Sequence, residues 1–120
     1  MKRLLLVVCC LLGAGVTAHA QTTSASQLAW DQGAANLATA QGLTYRYYAD
    51  GSATPVTLSG VTCTGSAAPF VCTVAFPAFT PGAHTLQLAA ANVAGESAKS
   101  LVLSFTFVVI PDAPANLRIQ

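Results

Sequence analysis

Downstream of an apolar N-terminal run, hydrophobic residues recur at every second position, the period of a strand rather than a helix. Leu28 and Trp30 alternate in a short first strand. Leu43, Tyr45 and Tyr47 share one face of the next strand, with Arg46 and Tyr48 on the other. Asp50-Gly51 ends it, a dipeptide that favours the positive-φ turns of hairpins. Val56 and Leu58 alternate in a following strand. The phase slips at Gly60, and Val61 and Cys63 continue one residue out of step, which predicts a β-bulge. Cys72, Val74 and Phe76 face inward on a strand closed by Pro77. A turn at Pro81-Gly82 opens the next, with His84, Leu86, Leu88 and Ala90 on one face, and it runs out at Asn92 and Gly95. Leu101, Leu103, Phe105, Phe107 and Val109 form the last strand, stopped by Pro111. Helical propensity is confined to Ala34–Ala40, bracketed by Gly33 and Gly42, and predicts a loop containing a helical turn.

Six strands separated by turn signals predict an all-β fold, a two-sheet antiparallel β-sandwich. Trp30, Tyr45, Leu86, Leu88, Phe105 and Phe107, with Phe76, are the expected structural core. Each large side chain fully buried contributes roughly 1.5–3 kcal/mol against the chain entropy.

The N-terminus changes the picture of the compartment. Lys2 and Arg3 precede an apolar run from Leu4 to Val16, and Ala18-His19-Ala20 supplies small residues at the positions a signal peptidase reads. This predicts a signal peptide over residues 1–20, cleaved after Ala20, and a secreted or cell-envelope protein. The run is shorter than the about 20 residues that span a bilayer, so no membrane span is expected in the mature chain. Residues 21–25 are then a leader, 26–110 the sandwich, and 111–120 a linker or the opening strand of a following domain.

Cleavage leaves Arg46, Lys99 and Arg118 against Asp31, Asp50, Glu96 and Asp112, a net charge of −1. Without a basic stripe, nucleic acid is not an expected partner. Cys9 and Cys10 leave with the signal. Cys63 and Cys72 remain, flanking a turn-like stretch with Gly65 and Pro69, and are expected to form a disulfide across a hairpin.

Candidate chemistry is sparse. His84 is the one histidine of the mature chain and the one candidate general base, and its place beside a Pro-Gly turn suits a structural hydrogen bond better. No G-x-S-x-G elbow, P-loop or HExxH occurs. An aromatic platform for sugar would draw on Trp30, Tyr47 and Tyr48, of which only Tyr48 points outward. Asp31 and Asp50 lack the dense acidic company of a calcium site. No catalytic residue, cofactor or metal is expected.

The stretch Phe79–Ser97 (FTPGAHTLQLAAANVAGES) resembles the E–F corner, F strand and F–G loop of fibronectin type III domains. Trp30 and Tyr45 match that family's strand B tryptophan and strand C tyrosine. His84 stands where the family has its corner tyrosine, and the cysteine pair lies outside the general pattern. The family's Pro-x-x-Pro-x-x-Leu opening is missing before the first strand and present at Pro111–Leu117. The resemblance implies a non-enzymatic extracellular binding, adhesion or spacer module of a bacterial secreted protein, with neighbouring repeat domains and an extracellular protein or glycan as partner. A carbohydrate-binding or accessory module beside a secreted hydrolase is the first alternative, and an enzyme using His84, marked by a pocket with a carboxylate within hydrogen-bond reach of it, is the second. Because the first strand lacks an opening strand, its sheet edge is expected to be free, and the tail is a candidate to add to such an edge.

Overall fold

A computed structural model describes residues 20–120. The signal-peptide reading of residues 1–20, and Cys9 and Cys10 with it, lies outside the described residues except for Ala20.

Among the described residues, nine strands form two sheets, joined by one short helix. The strands are β1 (Ala20–Thr22), β2 (Gln27–Gln32), β3 (Thr44–Ala49), β4 (Val56–Thr57), β5 (Thr62–Thr64), β6 (Phe70–Ala75), β7 (Gly82–Asn92), β8 (Gly95–Glu96) and β9 (Leu103–Phe107). The helix α1 (Leu37–Gly42) lies between β2 and β3. The larger sheet has the order β1-β9-β7-β3-β4, with β8 folded onto β7; the smaller is β2-β6-β5. Pairing is antiparallel except for β1, which runs parallel to β9. The fold is an all-β sandwich.

Two aromatic contacts join the sheets. Trp30 of β2 meets Tyr45 of β3 edge to face, ring centroids 5.0 Å apart. Phe76, just beyond β6, meets Phe105 of β9 in the same way at 4.9 Å. Around Phe105 cluster Leu28, Val74, Phe76, Leu86 and Phe107; around Tyr45 cluster Ala40, Phe70 and the two cysteines. Tyr45, Leu86, Leu88, Phe105 and Phe107 are buried as expected. Trp30 is only half-buried, packing against both clusters from an open side of the sandwich.

Several elements depart from the expected map. Ala20–Thr22 forms an opening strand after all, pairing Ala20, Gln21 and Thr22 with Phe105, Thr106 and Phe107. Its three residues carry no apolar alternation, so nothing in their pattern marks a strand. The slip at Gly60 is no bulge: β4 belongs to the larger sheet and β5 to the smaller, and the chain changes sheets at Gly60 with φ +77°. The final strand is shorter than its pattern. Only Leu103–Phe107 pair, leaving Leu101 94% exposed and Val109 exposed. The helical turn does form, capped by Asn36, whose Oδ1 accepts from Thr39 N at 2.8 Å.

Cys63 and Cys72 sit directly opposite each other on β5 and β6 and are joined by a disulfide, Cα–Cα 4.0 Å. Ala68-Pro69 in the connecting turn is cis. The chain-entropy model assigns about 2.5–3 kcal/mol to closing so short a loop. Replacing both cysteines by alanine should therefore lower the unfolding free energy by about 2–3 kcal/mol in urea denaturation, with the fold retained.

Candidate functional site

Two places in the sandwich concentrate chemistry. The first is the corner before β7. Asp50 and Gly51 both take positive φ (51° and 72°), and Ser52 N donates to Ala49 O at 2.9 Å, the positive-φ turn expected of this dipeptide. That turn brings Asp50 against β7. Its Oδ1 accepts from Thr85 N at 2.9 Å and its Oδ2 lies 2.8 Å from His84 Nδ1. On the other side of the ring, His84 Nε2 lies 2.7 Å from the Thr80 carbonyl and 3.3 Å from its hydroxyl. The ring also packs on Phe79 and Phe105, at 5.0 and 5.9 Å between centroids.

A carboxylate, an imidazole and the Thr80 hydroxyl in contact have the composition of a catalytic triad, and a shallow cleft holds Asp50, His84 and Ser104. The partners argue for a structural role instead. Both ring nitrogens face acceptors, a carboxylate and a carbonyl, so each is satisfied as a donor only in the imidazolium. An imidazolium has no lone pair with which to take a proton. The hydrogen bond to Asp50, and then that to Thr80, raises the His84 pKa above its ordinary value of 6.5. The hydrogen bonds from His84 and Thr85 hold the Asp50 carboxyl below its ordinary 3.8. His84 thus ties the turn back to the backbone four residues upstream, the task of a corner tyrosine's hydroxyl.

The second place is the open side of the sandwich. Ser26 O accepts from Phe76 N, which starts the β2–β6 ladder with Ser26. Hydrogen-bonded residues alternate along an antiparallel pair, so Leu28, Trp30 and Gln32 aim their backbone groups at β6. Gln27, Ala29 and Asp31 aim theirs away from it, and among the described residues no strand pairs with that edge. Beside the edge runs a cleft of about 330 Å³, floored by Leu28, Trp30, Tyr45, Leu86 and Leu88. Its far wall is the Ser97–Leu103 connection. There, Ser97 and Ser100 replace a regular strand. Their backbone N–H groups donate to Ala90 O and Leu88 O, and their hydroxyls accept from Ala90 N and Leu88 N. Trp30 Nε1 is buried here without a hydrogen-bond partner.

The remaining expected residues are occupied structurally. Tyr48 points outward, yet it is buried: Lys99 Nζ lies 4.0 Å over its ring and its hydroxyl donates to the Glu96 carboxylate at 2.7–2.8 Å. Tyr47 packs on Phe79. Tyr45 Oη donates to Ala40 O at 2.7 Å, and burial pushes its pKa up. Asp31 and Asp50 lie on different elements, and no group of three or more His, Cys, Asp or Glu side chains with metal-binding geometry occurs among the described residues. No described helix is long and apolar enough to cross a membrane. Sequence alone marked His84 and Trp30. It missed Asp50 as the partner of His84, because only the folded turn brings them together.

Comparison of the sequence with protein-family models and with curated proteins finds no match.

The corner gives stability a definite pH dependence. The raised His84 pKa contributes stability that is full below 6.5 and lost as pH rises through the folded-state value. The lowered Asp50 pKa contributes stability that is full above 3.8 and lost as pH falls through its folded-state value. Melting temperature should therefore be level between these limits and decline on both sides. Asp50→Asn should flatten the alkaline decline, as differential scanning calorimetry across pH will show.

Proposed function

We propose that the protein is a non-enzymatic extracellular binding module of fibronectin type III type, whose recognition surface is the cleft beside β2. The observation that carries this reading is the free backbone edge of Gln27, Ala29 and Asp31 next to an apolar floor. Such an edge takes an extended chain through main-chain hydrogen bonds, while a neighbouring apolar cleft takes its alternate side chains.

The fibronectin type III reading rests on the motifs, and the strand map supports its wider, immunoglobulin-like part. With β2 as strand B, the sheets read B-E-D and G-F-C-C′, with β1 beside G. That arrangement lies within the immunoglobulin-like group, and β5 pairing with β6 leans toward its immunoglobulin branch. Extracellular placement is supported by the Cys63–Cys72 disulfide and the N-terminal sequence. A carbohydrate-binding module would want a row of exposed aromatic faces, and here Tyr47 packs on Phe79 while Lys99 covers Tyr48.

Trp30 is the only tryptophan, so its emission reports directly on the cleft. Peptides selected from a displayed random library on the purified protein should be extended, apolar at alternate positions, and should shift Trp30 emission on titration. Binding to a glycan array with no peptide selected would favour the carbohydrate-binding alternative instead.

A further inference from the structure

We infer that the free edge of β2 is completed by the Ala115–Gln120 segment of a second copy of this chain, two molecules exchanging tails; this rests on the cleft being a strand-binding surface. The tail from Pro111 to Gln120 forms no strand and is exposed throughout. Within it Leu117 and Ile119 stand two apart and are 98% and 101% exposed, an alternating apolar pair with nothing to cover it. The segment from Ala115 onward is free of proline, so every N–H in it can join a ladder.

Charge selects the register. Of the three described Lys and Arg side chains, Arg46 lies 4.0 Å from Glu96, Lys99 sits over Tyr48, and Arg118 contacts only groups of its own tail, the Asn116 carbonyl and the Gln120 side-chain amide. Of the four described carboxylates, Asp50 and Glu96 are engaged, Asp112 lies in the tail itself, and Asp31 sits exposed on the outer face of β2. Residues opposite each other on neighbouring strands point to the same side. Setting Arg118 opposite Asp31 therefore puts Leu117 and Ile119 on the inner side. One of them then lies opposite Trp30 whichever way the tail runs: Ile119 if antiparallel, Leu117 if parallel. The two copies would meet through the same pair of surfaces, as a closed two-fold dimer requires.

The molecule's own tail is poorly placed for this. It leaves β9 at Phe107, which pairs with Gly82, whereas Trp30 packs on Tyr45, which pairs with Ala90 at the other end of β7. It would have to double back along the sandwich, and a second copy removes that reversal.

Sedimentation of the full chain tests the exchange, with Asp31→Arg and Arg118→Glu made singly and mixed. The unaltered chain should dimerise, and loss of residues 111–120 should leave a folded monomer. Each single variant should raise the dimer dissociation constant, by about three- to tenfold. Mixing the two variants should restore it, since each tail then meets an edge of opposite charge. Both positions are exposed, so the variants should melt like the parent in monomeric form. A chain that stays monomeric, or a dimer indifferent to both substitutions and their mixing, would overturn the exchange. A monomer whose Trp30 emission still shifts with selected peptides would overturn it while leaving the cleft as a binding surface. A monomer with no such response removes both.

Discussion

Everything in this sandwich hangs on two inter-sheet aromatic contacts, Trp30 on Tyr45 and Phe76 on Phe105. The strands themselves are rich in Thr, Ser, Ala and Gln, which bury little apolar area. Neither sheet could hold its face to the other through such residues. Phe105 acts as the hub at one end, touched by Phe76, Phe79 and His84. Tyr45 does so at the other, its hydroxyl anchored on the helix carbonyl of Ala40 and lying 3.6 Å from Cys72 Sγ. The disulfide stiffens the hairpin on which that second contact rests.

Polar side chains are used as replacement backbone. Ser97 and Ser100 supply both donor and acceptor to β7 where the chain departs from strand geometry. Asp50 accepts the Thr85 N–H, and His84 reaches back to the Thr80 carbonyl. In a chain this poor in charge, such groups satisfy the backbone at irregular corners. The open edge of β2 is the place where that economy stops, and the cleft and the buried indole nitrogen coincide with it.

Strand positions were legible wherever large apolar residues alternate, as at Cys72, Val74 and Phe76. The disulfide was legible because its two cysteines bracket a turn. The turn at Asp50-Gly51 follows from dihedral preference alone. Other features need the fold. The strand Ala20–Thr22 has no pattern of its own and exists because β9 offers a partner. At Gly60 one glycine signals either a bulge or a sheet crossing, and only the pairing of β4 and β5 decides between them. Tyr48 alternates outward, as its parity demands, and is buried by Glu96 of β8 and Lys99 just beyond it, both distant in sequence. Alternation at Leu101 outruns the strand because the neighbouring part of β7 is already satisfied by serines, and at Val109 because β7 begins at Gly82, opposite Phe107.

The pairing of β1 with β9 carries a kinetic consequence. The first and last strands of the described chain lie side by side, so this contact cannot form until the chain is available through Phe107. The β5–β6 hairpin, by contrast, closes over a few residues. Long-range pairings form slowly because loop closure must precede any gain from them. A chain synthesised from its N-terminus therefore carries Ala20–Thr22 unpaired until β9 has been made, so the larger sheet is the last part of the sandwich to close.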